Sequence, residues 1–225
     1  FTRRPLAIKC SIAIGGVPRD VYAVAMHTKS KFIGGGQRLW ASNDFTKKLE
    51  FIRKAVANRR RLAAECVRVR TMIDKVIYKE EKNPMVMVCG DLNDGPGQDF
   101  FEQLFLLVNP IDLLLGSPFI RSKLLQALLI RRRWVPLQWQ FSAEFSDYVD
   151  NISNKRVLLD HFMVSHALDA HVLVAGVAHD VFHQTSSGDT HSRQNRISDH
   201  VPVFCDISTS SSTNKLRTSK QQTIT

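Results

Sequence analysis

The sequence predicts an α/β fold, and three observations carry the prediction. Strand-like apolar runs alternate with helix-periodic segments along most of the chain. One of those runs, MVMVC at residues 85–89, is short and unbroken, as expected for a strand covered on both faces. Acid-bearing segments stand where strand-like runs give way to polar loops, the place at which open α/β layers present chemistry to solvent.

The elements follow in chain order. Residues 6–14 and 21–26 read as strands, because Gly15, Gly16 and Pro18 punctuate them as a turn. A glycine-rich stretch at residues 29–37 reads as a flexible loop. Between Asn43 and Tyr78, Leu62, Cys66, Val69, Ile73 and Ile77 recur at spacings of three and four, which predicts one long or two consecutive helices. Lys82, Asn83 and Pro84 end that run and lead to the strand at 85–89. A second helix is expected near Gln98, with Phe100, Phe101, Leu104, Phe105 and Val108 on one apolar side. Residues 110–150 have no clear period and read as a variable excursion. Residues 157–165, 172–178 and 201–207 read as strands, and 208–225, almost wholly Ser, Thr, Lys and Gln, as a disordered polar tail.

Composition bounds the function. The chain has 225 residues, 44% hydrophobic and 23% charged, with a net charge of +10. That describes a globular domain with an excess of cations, suited to polyanionic partners. No apolar stretch reaches the roughly 18 residues of a transmembrane helix, and no secretory signal is readable. Compartment stays unassigned. Four scattered cysteines form no CxxC, which argues against a zinc knuckle or a disulfide framework. Cys89 and Cys205, inside apolar runs, read as core thiols. His166, His171, His179, His183 and His191 lack regular metal spacing.

Three segments concentrate the chemistry: Gly90-Asp91-Leu92-Asn93-Asp94, Leu159-Asp160-His161 and Ser198-Asp199-His200-Val201-Pro202. In an extended chain, side chains two apart share a face, so Asp91 and Asn93 are expected to point the same way. Asp-x-Asn after a strand also fits a turn with local backbone bonds. By the same alternation His161 faces away from Asp160 and reads as a packed histidine, and Asp94 reads as structural. Between Lys47 and Arg70 nine basic residues stand against Glu50 and Glu65, either a solvated helix face or a nucleic-acid track. Arg131, Arg132 and Arg133 beside Trp134 form a second basic-aromatic candidate.

These three segments in this order, with Ala25-Met26-His27-Thr28-Lys29-Ser30-Lys31 before them, resemble the endonuclease/exonuclease/phosphatase family of metal-dependent phosphohydrolases. The resemblance spans residues 1–207 as one domain. It implies a four-layered α/β sandwich of two packed mixed sheets with outer helices, incomplete at the amino terminus, because the family's early Asn and metal-binding Glu have no match. It implies Mg2+ or Mn2+ as cofactor and a metal-activated water attacking a phosphate ester. By resemblance Asp91 positions or deprotonates that water, Asp199 and Asp91 hold the metal, and Asp160 orients His200. His27, Lys29, Asn93 and His200 would face the substrate phosphate. Nucleic acid is the favoured substrate. A phosphorylated small molecule or lipid headgroup is the alternative substrate, and a non-catalytic binding module the alternative class.

Overall fold

The computed structural model describes residues 3–131, 135–180 and 198–209. Strand β1 (Leu6–Ile14) turns back through Gly15 and Gly16 into β2 (Val17–His27). After the short α1 (Gly36–Trp40), the long α2 (Phe45–Met72) begins at Asp44, whose carboxylate accepts the Thr46 N–H at 2.8 Å. One π-helical turn (Ile73–Ile77) carries α2 into α3 (Tyr78–Glu80), so the periodic stretch is one helical run. Next come β3 (Met85–Asp91), α4 (Phe100–Phe105), α5 (Pro110–Leu115), β4 (Gln126–Ala127), β5 (Ala143–Asp147), β6 (Ile152–Val157), β7 (Asp160–Val164), α6 (His166–Asp169), β8 (Val172–Val177) and β9 (Val203–Ile207).

A five-stranded mixed sheet in the order β1-β2-β3-β7-β4 forms the centre. Its β2–β3 pairing is parallel and the rest antiparallel. One face carries Tyr22, Val24, Met26, Val86, Val88 and Met163 against Leu62, Cys66, Val69, Ile73 and Ile77 of the long helix and Ile111 and Leu114 of α5. Each fully buried Leu, Val or Ile there contributes roughly 1.5–3 kcal/mol. The other face carries Val21, Met85 and Val164 against Val172 and Ala175 of β8 and the partly buried Val203 and Cys205 of β9. Helices, mixed sheet and second sheet therefore stack as an α/β sandwich. Among the described residues this second layer is the antiparallel pair β8–β9, and β5 and β6 form a separate antiparallel pair.

MVMVC is covered on both faces, with Val86 and Val88 under the helix and Met85 and Met87 under the second sheet. Three expectations change. Of the apolar residues near α4 only Phe101 is buried, while Phe100, Leu104, Phe105 and Val108 are exposed, because the helix ends after Phe105 and Leu107 takes a positive φ. The fully buried thiol is Cys66, raised by burial to about 12; Cys89 and Cys205 are partly exposed. The stretch at 157–165 is two strands broken at Leu158 and Leu159. Of the expected tail, Ser208 and Thr209 accept the N–H groups of Gly15 and Gly16, and 210–225 lie outside the described residues, as do Arg132, Arg133, Trp134, His183 and His191.

Beneath the loops that leave β2 and β3 lies a compact ionic cluster. Lys31 Nζ reaches Asp94 at 2.5 Å, Glu102 at 2.6 Å and Asp99 at 3.0 Å. Burial alone would discharge this lysine, but the three carboxylates outweigh it and hold the ammonium. Asp99 also caps α4 in a reciprocal box with Glu102 and receives Arg59 Nε at 2.9 Å. Burial pushes its pKa up, and Arg59 and Lys31 more than reverse that, leaving the carboxyl well below the usual range. A carboxyl depressed in the folded state contributes stability that is present above its unfolded pKa and lost as pH falls through the folded value. Asp99→Asn should therefore cost about 2–3 kcal/mol at neutral pH in urea unfolding, and the two proteins' stabilities should converge in strong acid.

Candidate active site at one edge of the mixed sheet

The strand register builds the site. His27 ends β2 opposite Asp91 at the end of the parallel β3, and Asp91 in turn faces Asp160 at the start of the antiparallel β7. Three neighbouring strands therefore place His27, Asp91 and Asp160 in one lateral row, with backbones about 4.8 Å apart. Gly90 makes this close fit possible: its φ is 124°, and a Cβ there would lie 2.1 Å from the Met26 carbonyl oxygen.

Short bonds lock the strand ends together. Thr28 N–H donates to the Asp91 carbonyl at 3.0 Å, its hydroxyl to the Leu92 carbonyl at 2.6 Å, and Leu92 N–H to the Leu159 carbonyl at 2.8 Å. Asn93 does not continue the strand. It lies at φ 50°, donates its N–H to Asp91 Oδ1 at 2.8 Å, and donates its side-chain amide to the Thr28 carbonyl at 3.2 Å. β3 stops at Asp91 and the chain turns there, so the alternation of an extended strand does not reach Asn93. His161 is 1% exposed, with Nε2 2.9 Å from the Asp94 carbonyl oxygen, and burial keeps its pKa low. It is the packed histidine that alternation predicted.

His200 arrives from the far end of the chain. An isolated bridge to Ala143 carries it in, and Val201 N–H donates to the Ser142 carbonyl at 2.7 Å. Its Nδ1 lies 2.6 Å from Asp160 Oδ2. That bond, with the charge of Asp160, raises the imidazole to about 9 against the opposing cost of burial. Asp91 is raised by burial, which outweighs the Asn93 N–H, and the Asp160 charge pushes it further. Ligand atoms of Asp91, Asp160 and His200 all lie within 4.8 Å of one another. His27 Nε2 lies 3.3 Å from Asp91 Oδ2 and also contacts the Arg3 guanidinium.

The remaining expected residues sit around this centre. Asp199 is exposed and outside that group of ligand atoms, although its charge acts on His200. The carboxylate pair that converges is Asp91 with Asp160. Lys29 is held by its backbone, whose N–H donates to Glu65 Oε2 at 2.8 Å. Asp94 is 3% exposed and belongs to the ionic cluster. Two half-buried carboxylates facing each other fit a hard divalent cation that keeps part of its water. Burial, and to a smaller extent the charge of Asp160, raises Asp91, and such a cation would offset both.

Sequence reasoning missed Ser142. It is fully buried, its hydroxyl oxygen accepts both Leu159 N–H and Asp160 N–H at 3.0 Å, and its carbonyl holds Val201. One residue thus orders the two segments that form the Asp160–His200 pair, its side chain holding Asp160 and its backbone holding Val201. The only signal for it was its neighbourhood in a stretch without period.

No family model matches the chain, and no curated protein does. Solved structures do. The catalytic domain of APE2 from Xenopus laevis matches at 16% identity, over 91% of this chain and 55% of that one, with a TM-score of 0.46. A 3' phosphatase, NExo, from Neisseria, solved with a product DNA hairpin, matches at 15% over 90% of this chain and 64% of that one, with a TM-score of 0.41. A mannosyl-6-phosphatase from Bacteroides thetaiotaomicron matches at 13% over 86% and 52%, with a TM-score of 0.33. The chain spans about half to two thirds of the length of these structures.

The Ser142 geometry has a direct test. A raised imidazole contributes stability that is complete below its unfolded pKa and lost as pH rises through about 9. Ser142→Ala strands two buried N–H groups, so it should cost about 1–3 kcal/mol and move the His200 titration, followed by histidine proton NMR, down toward 6.5. Ser142→Thr, which keeps the oxygen, should restore both.

Proposed function

We propose that this chain is a divalent-metal-dependent hydrolase of phosphate esters, most favoured as a phosphodiesterase acting on nucleic acid. The observation that carries the reading is the convergence of Asp91, Asp160 and His200 within 4.8 Å, from segments 69 and 40 residues apart, with His27 beside Asp91 in register. Structural packing alone would not gather two carboxylates and two imidazoles at a half-exposed sheet edge, since each charge must be desolvated there. The overall charge of +10 suits a polyanion better than a neutral substrate.

The residues divide the work as follows. Asp160 holds His200 through Nδ1, which leaves Nε2–H of the imidazolium to donate to a phosphate oxygen. With its pKa raised to about 9, His200 stays protonated at neutral pH and can stabilise charge that grows on the phosphoryl group. Burial raises Asp91 and so makes its carboxylate a stronger base, which would orient the attacking water and take its proton. His27, at the end of β2, and Lys29, two residues further on, would bind the phosphate. Asn93 holds the loop with one amide proton and has a second for a phosphoryl oxygen. Asp199 adds negative charge that supports protonated His200.

A cation held by Asp91 and Asp160, Mg2+ or Mn2+, supplies neutralisation of the phosphate oxygens and a more acidic water when bound. Hard oxygen donors favour these ions over zinc.

The test is hydrolysis with Mg2+, compared among plasmid DNA, a soluble phosphodiester and a phosphoinositide, each with and without a chelator. Cleavage should need the metal and be fastest on DNA. Asp91→Ala and His200→Ala should each lower turnover by at least ~10²-fold without changing the fold by circular dichroism. Near-normal turnover in either purified variant contradicts the assignment, and preference for the phosphoinositide contradicts the substrate.

A further inference from the structure

The nine cations between Lys47 and Arg70 are not equivalent. Arg59 and Arg70 turn inward, paired with Asp99 and Asp74 at 2.7 and 2.6 Å. Lys47, Lys54, Arg61 and Arg68 are exposed and recur every seven residues, and Arg53 and Arg60 repeat the interval beside them. At 100° per residue all six fall within an arc of about 140°, along about 31 Å of helix. Of the two acids in α2, Glu50 pairs with Lys54 at 2.5 Å, and Glu65 is buried at 4% exposure against the loop that leaves the site. The helix therefore presents a cationic strip to solvent.

A second observation ties this strip to the site. Five residues after His27, Phe32 is 72% exposed, unusual for an aromatic side chain, while its backbone is fixed. Its carbonyl accepts Asn58 Nδ2 of α2 at 3.3 Å, and its N–H donates to Ser30 Oγ at 3.1 Å. Asn58 lies four residues after Lys54 and three before Arg61, hence adjacent to both on the helix surface. An open aromatic face thus stands at the border between the catalytic loop and the cations.

We propose that the exposed arc of α2 and Phe32 form a track for a single strand of nucleic acid, the cations taking successive phosphates and Phe32 stacking on a base near the scissile bond. This deepens the phosphodiesterase reading and rests on it for the direction of the strand. Repeated cations with an exposed ring are what sequence-tolerant strand binding requires. An anionic membrane is the weaker occupant, because the apolar side of α2 (Phe51, Ala55, Leu62, Cys66, Val69) is committed to the core and has nothing to insert.

The experiment measures binding of a fluorescent single-stranded oligothymidylate to the whole chain, with chelator present so that nothing is cleaved, across a salt series. Arg60→Gln/Arg61→Gln should weaken binding roughly tenfold at low salt and reduce the log–log salt slope by about 1.4. Phe32→Leu should weaken it at least about fivefold with the slope unchanged. Arg19→Gln, at the opposite end of β2, should match wild type. Unchanged affinity in either the arginine pair or Phe32→Leu overturns the track, and an arginine-pair variant that loses binding to phosphatidylserine vesicles while keeping wild-type oligonucleotide affinity overturns it in favour of a membrane. Oligonucleotide binding with these signatures in a protein that hydrolyses no phosphate ester would support the track and overturn the hydrolase reading.

Discussion

The in-register termination of β2, β3 and β7 is the constraint on which the site depends. Because β2 and β3 run parallel and β7 runs against them, two strand ends and one strand start fall on the same edge, bearing His27, Asp91 and Asp160. A slip of one residue in either pairing would turn an acid to the other face of the sheet. Gly90 is part of that constraint, since only a residue without Cβ lets β3 lie against the Met26 carbonyl at this φ. The helical layer behind the sheet supplies the burial that holds the register.

Charge is distributed by depth. In the buried cluster two cations, Lys31 and Arg59, are shared at close range among three carboxylates, Asp94, Asp99 and Glu102, which ties together the loops below the site. At the edge itself Asp91 and Asp160 face each other, and His200 answers only part of their charge. Two carboxylates face to face at a partly exposed edge are the arrangement expected where a ligand completes the electrostatics. The outer arc of α2 is unbalanced in the opposite sense, toward a polyanion.

Long-period and short-range signals were the legible part of the sequence. Spacings of three and four through Leu62 and Ile77 define the helix, since one face of it is core, and MVMVC marks a strand buried on both sides. His161 was readable from alternation because β7 is regular there. The acids and His200 could be singled out by local composition, yet their convergence depends on strand order, which no local pattern encodes. Asn93 escaped the alternation argument because the strand ended two residues earlier. The apolar residues around Phe100 misled because hydrophobicity without a helix long enough to bury it leaves side chains in solvent. Ser142 was illegible: its role comes from accepting two backbone N–H groups distant in sequence, and a lone serine in an aperiodic stretch carries no mark of that.

The most direct measurement of whether these strand ends form one centre is paramagnetic broadening of histidine ring protons by Mn2+. A cation seated between Asp91 and Asp160 should broaden His27 and His200 first and leave His166 and His171, beyond the other end of β7, sharp. Broadening of His166 or His171 at the lowest metal concentrations, with His27 and His200 unaffected, would contradict the account.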